Sequence, residues 1–87
     1  MKAQLLKTDG TVTDVEPKNG KKFSLEELQA FVGGYIEIAY PPHKSKVLVV
    51  NEEGRLIGLP VNEAASAIYK REPIVGDALF CEFKQIQ

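Results

Sequence analysis

One histidine, one cysteine and two adjacent pairs of carboxylates are the side chains of this 87-residue sequence best suited to making or breaking bonds. His43 lies in "YPPHKSK", a polar loop stiffened by two prolines. A histidine acts as a base or a metal ligand only with a second group close by. The sequence has no run of His, Cys, Asp and Glu at metal-ligand spacing, so neither a metal nor another cofactor is expected. His43 therefore reads first as a solvated loop residue. Cys81 stands in "ALFCEF", where alternation puts it on one face with Leu79 and Phe83. A buried cysteine of this kind behaves as a small, inert hydrophobe. As a nucleophile it would need a histidine, and His43 is the one available. Glu26 and Glu27 are adjacent on an expected helix and so do not face each other, and Glu52 and Glu53 fall in an expected turn. Gly33-Gly34 follows a helix, whereas a phosphate-cradling loop precedes one. The chemistry points away from an enzyme.

Binding chemistry is better represented. Tyr40, His43, Lys44 and Lys46 gather at one end of an expected hairpin, and Arg55 lies on the same face or at the opposite end. Aromatic rings beside cations suit nucleotides, single strands or an acidic partner surface. An ordinary solvated loop is the plainer alternative. Asn62 completes the set of candidate ligand-binding residues, and it is also the expected N-cap of a helix.

The elements that must position these groups follow from local signals. Residues 1–8 read as a strand that turns at Asp9-Gly10, a hairpin signal, into a second strand, "TVTDVE". Ser24 to Val32 reads as a helix. Ser24 and Glu27 have capping-box spacing, Phe23 and Leu28 staple spacing, and Gly33 supplies a left-handed stop. Leu25, Leu28, Phe31 and Val32 form its expected apolar face. "YIEIAY" is a third strand closed by Pro41-Pro42, and "KVLVV", apolar on both faces, an interior fourth. A turn over residues 51–54 leads to "RLIG" as a fifth strand, paired with the fourth in a hairpin. Asn62 starts a second short helix, with Glu63 at its positive end and Lys70 and Arg71 at its negative end. "IVGDALFCEF" supplies the sixth strand.

One domain over residues 1–87 is expected, of the α+β class: a single mainly antiparallel sheet of five to six strands with two short helices. The 44% hydrophobic and 26% charged content is that of a globular chain. Eleven basic and twelve acidic residues leave a net charge of −1, which weighs against nucleic acid as a partner. No stretch approaches the ~18 apolar residues of a membrane helix, and no secretory signal is evident. With one cysteine, the chain fits a reducing, cytoplasmic setting. Apolar residues on both faces of several strands, with two helices expected on one face, imply a homodimer or higher homo-oligomer.

"VGGYIEI", "VVNEEGRLIGLPVNEAAS" and "IVGDALF", in that order, resemble a group of small domains of unknown function found in bacteriophages, conjugative plasmids and their bacterial hosts. The resemblance runs over nearly the whole chain. It implies an α+β fold and a mobile-element setting and carries no catalytic residues. Relatives often place a basic residue after the asparagine, where this chain has Glu63 and Ala64. The functional expectation is a non-enzymatic binding protein of a phage or mobile element. It would occupy a host protein or sequester a small nucleotide-like signal. The alternative is a weak nucleic-acid-binding module.

Overall fold

The computed structural model describes residues 2–87. Strands β1 (Ala3–Leu6) and β2 (Val12–Val15) form the expected Asp-Gly hairpin. Helix α1 (Leu25–Val32) follows, then β3 (Ile36–Ala39) and β4 (Lys46–Asn51). Next come a two-residue strand β5 (Val61–Asn62), helix α2 (Glu63–Tyr69), a short β6 (Ile74–Val75) and β7 (Ala78–Glu82). A 3-10 turn, Phe83–Gln85, ends the ordered elements. The main sheet is antiparallel with order β2-β1-β7-β4-β3, and β5 pairs with β6 in a second, small sheet. The class is α+β, as the sequence patterns require. The first strand is shorter than residues 1–8, and Met1 lies outside the described residues.

The punctuation of α1 is as the spacing predicts. Ser24 accepts from the Glu27 N–H at 3.1 Å, and the Glu27 carboxylate accepts from the Ser24 N–H at 2.8 Å. Gly33 ends the helix at φ 77°. Leu28 and Val32 are buried and Phe31 half-buried, but Leu25 points to solvent, 58% exposed. It occupies the first helical position, and Phe23, two residues earlier, fills the core at that end of the helix.

β4 and β7 build both sides of the core. Val47, Val49, Leu79 and Cys81 face α1, together with Phe23, Leu28 and Val32. Leu48, Val50, Ala78 and Leu6 face Ala65 of α2 and Ile74 of β6. Leu48, Val49 and Leu79 are wholly buried, each contributing roughly 1.5–3 kcal/mol of apolar burial. The two helices therefore cover opposite faces. The expectation that both lie on one face is overturned, and with it the inference that an uncovered face needs a partner.

The expected fifth strand, "RLIG", and its hairpin with β4 do not form. Residues 52–58 coil instead, with Ile57 N–H donating to Glu53, Gly58 to Arg55 and Leu59 to Gly54. Leu56 and Ile57 project into solvent, 83% and 58% exposed. The strand that pairs with β4 on that side is β7, brought back from the far end of the chain. Gly76 makes the return possible. Its φ is 80°, and a Cβ there would lie 2.7 Å from Leu59.

Candidate functional site

His43 and Cys81 lie on opposite sides of the sheet. His43 meets the ring of Phe80 edge-on, centroids 5.9 Å apart, and Phe80 belongs to the α2 face. Cys81 points to the α1 face and is 1% exposed. Burial there, reinforced by the neighbouring Glu82 carboxylate, pushes the thiol up to about 12. A thiol–imidazole pair does not form, and an un-ionised buried thiol is a poor nucleophile. Among the described residues no group of three or more His, Cys, Asp or Glu side chains could hold a metal ion.

The 41–46 loop is built on His43. Its Nδ1 accepts from the N–H groups of Ser45 at 3.2 Å and Lys46 at 3.1 Å. With Nδ1 accepting, the neutral ring carries its proton on Nε2. Lys46 reaches back over the Phe80 ring, its Nζ 5.0 Å from the centroid. Tyr40, His43 and Lys44 are exposed around them, and a depression of about 210 Å³ is lined by Tyr40, His43, Lys44, Lys46 and Phe83.

Arg55 does not share this loop's environment. It donates to the Pro73 carbonyl and pairs with Glu72 at 3.5 Å, on an exposed surface. There it lines a separate groove of about 180 Å³ with Glu37, Tyr69 and Arg71; Tyr40 borders both depressions. Asn62 is wholly buried. Its amide nitrogen donates to Leu6 at 2.8 Å and Gly76 at 3.0 Å, and its oxygen accepts from Ala65 at 3.1 Å. It caps α2 and leaves no surface for a ligand.

Sequence reasoning missed three lysines. Lys21, Lys22 and Lys84 line a depression of about 330 Å³ with Gln85 and Gln87. They meet because the Phe23 N–H donates to the Gln85 carbonyl at 2.8 Å. The Phe83 N–H donates to Ser45 at 2.8 Å and ties the same turn to the His43 loop. Lys44, Lys46, Lys84, Lys21 and Lys22 thus belong to three segments stitched together at one end of the molecule. The only local hint was a lysine in each of three loops far apart in sequence.

A family model described as "Domain of unknown function (DUF3846)" matches residues 1–86. The chain belongs to that family. No curated protein and no solved structure matches this DUF3846 chain. This end of the molecule presents lysines beside exposed rings. Phe83, 42% exposed, and Tyr40, 55% exposed, supply the rings.

Proposed function

We infer that this DUF3846 domain is a non-enzymatic binding protein of a phage or other mobile element, acting in the host cytoplasm. It docks its basic end on an acidic surface of a host protein. The observation that supports this reading is the joining of Lys44, Lys46, Lys84, Lys21 and Lys22 by the Phe83–Ser45 and Phe23–Gln85 backbone hydrogen bonds, in a chain whose net charge is only −1. Tyr40, His43 and Phe83 add apolar contact area at the same end. The mobile-element setting rests on the sequence resemblance.

Cavity sizes weigh against sequestering a small nucleotide-like signal. Ligand pockets that enclose a small molecule usually hold about 300–1,000 Å³. The depressions beside Tyr40 hold about 180 and 210 Å³. The lysine-lined depression is larger but has no aromatic lining on which a base could stack. A wider depression of about 640 Å³ carries Glu16, Glu26 and Glu27 against Lys18, the wrong sign for phosphate.

Weak binding of single-stranded nucleic acid is the second reading, favoured by the exposed Tyr40 and Phe83 rings among the lysines. Amide chemical-shift mapping separates the two. A hexaglutamate peptide is expected to move the amides of residues 43–46, 83–85 and 21–22 at low salt, more strongly than oligothymidylate does. Larger shifts with oligothymidylate, lost steeply with salt, would favour the second reading. Silence of these amides to both probes would remove the first.

A further inference from the structure

We propose that the outer edge of β3 pairs with β3 of a second copy of this chain, antiparallel about a two-fold axis at Ile38, to make one continuous sheet through both copies. The main sheet ends in two open edges, β2 and β3. All but one of the β2 residues are exposed, and Asp14 stands within the strand. A charge on an edge is a common guard against pairing. On β3 the Glu52 N–H donates to the Tyr35 carbonyl at 2.8 Å, in register with Ile36 opposite Asn51. Tyr35, Glu37 and Ala39 therefore bond inward to β4, and the backbone groups of Ile36, Ile38 and Tyr40 face outward. The side chains of that row are uncharged, and the one acid of β3, Glu37, lies between them.

A two-fold axis that keeps the sheet faces aligned pairs residues of like parity, so few registers exist. Centring on Glu37 opposes two carboxylates directly, which is destabilising. Centring on Ala39 brings Ile36 opposite Pro42, which has no N–H to donate. Centring on Ile38 brings all three outward-facing residues into hydrogen-bonded pairs: Ile38 with its own copy, and Ile36 with Tyr40 twice. These pairs are apolar. On the other face Glu37 of each copy stands opposite Ala39, at a groove that Ala39 lines with Arg55 and Arg71. Glu37 and Arg71 have no ion-pair partner within the chain among the described residues. The second copy brings its Glu37 to the groove that Glu37 and Arg71 already line in the first, where the Arg71 guanidinium lies 5.9 Å from the centroid of the Tyr69 ring. Tyr40 borders both this interface and the lysine-bearing end, but the pairing of β3 does not depend on that end's function.

The register is tested by cysteine pairing, with Cys81 too buried to interfere. Residues 37 and 39 of opposite copies form a non-hydrogen-bonded pair, Cα atoms about 4.5 Å apart. Residue 37 lies about 8 Å from its own counterpart, beyond disulfide reach. A mixture of the Glu37→Cys and Ala39→Cys chains, oxidised mildly, is expected to give the mixed disulfide dimer in at least tenfold excess over either homodimer. A Glu37→Cys homodimer formed equally well would overturn the register. The unmodified chain is expected to sediment at twice its 9.6 kDa mass at concentrations of about 1 mM, since a strand-edge contact is small. A monomer there would overturn the interface, whatever the variants do.

Discussion

The Asn62 side chain donates to the carbonyl of Leu6, 56 residues earlier, across 2.8 Å, and so hangs the start of α2 from strand β1. The same amide holds Gly76 at the turn into β7. One residue thereby joins β1, α2 and the β6–β7 turn. A position that looks like a helix-start ligand site in the sequence is a buried structural joint.

Replacing Asn62 with alanine removes the cap of α2 and leaves the Leu6 and Gly76 carbonyls without this donor. The expected loss is roughly 3 kcal/mol, from a lost cap and buried groups left unpaired. Chemical denaturation measures it. A loss under about 0.5 kcal/mol would show that water or a shifted backbone replaces the amide.

Lys70 ends α2 at φ 69°, the left-handed conformation that a side chain resists. Lys70→Gly is expected to stabilise the fold by about 0.5–1 kcal/mol, and Lys70→Val to destabilise it by at least as much. Thermal unfolding of both variants checks the sign. Equal midpoints for all three proteins would contradict the backbone assignment.

Glu27 accepts from the backbone N–H groups of Ser24 and, less strongly, Lys18, and these hold its carboxyl below the ordinary glutamate range. A carboxyl depressed by folding stabilises the fold above its unfolded value. That contribution is lost as pH falls through the folded value. The urea midpoint of the wild-type chain is therefore expected to drop on acidification below the normal glutamate range, and the Glu27→Gln variant to lose less over the same window. Parallel curves would remove the capping box as the cause.

Cys81 should resist a thiol reagent at about pH 8 in the folded chain and react at once in denaturant, because it is buried and its thiol stays protonated. Fast native labelling, followed by absorbance, would mean that the α1 face opens readily.

Leu56 and Ile57 touch solvent and not the sheet. Converting both to lysine is expected to change stability by no more than about 0.5 kcal/mol. A large loss would restore the β4 hairpin that the pattern "KVLVVNEEGRLIG" suggests.

The pattern of success follows the range of the interactions. The Asp-Gly hairpin, the Ser24–Glu27 box, the Gly33 stop and the Asn62 cap are contacts within a few residues, and sequence spacing reveals them. "RLIG" misleads because four residues with two apolar ones fit a strand or a coil equally well. The decision lies with β7, Ala78–Glu82, which takes the place beside β4. The placement of α1 and α2 on opposite faces is likewise a long-range outcome. Of the candidate site, the His43 loop is legible locally. The approach of Lys21, Lys22 and Lys84 is not, since it depends on the Phe23–Gln85 bond across 62 positions.

The lysine-bearing end is proposed to engage a host protein. Affinity capture from nuclease-treated lysate of the host cell tests it, comparing the wild-type chain with a Lys44→Glu, Lys84→Glu, Lys21→Glu variant shown to be folded. A host protein is expected to be retained by the wild type after nuclease and lost with the variant. The same capture by both chains, or capture abolished by nuclease, would contradict it.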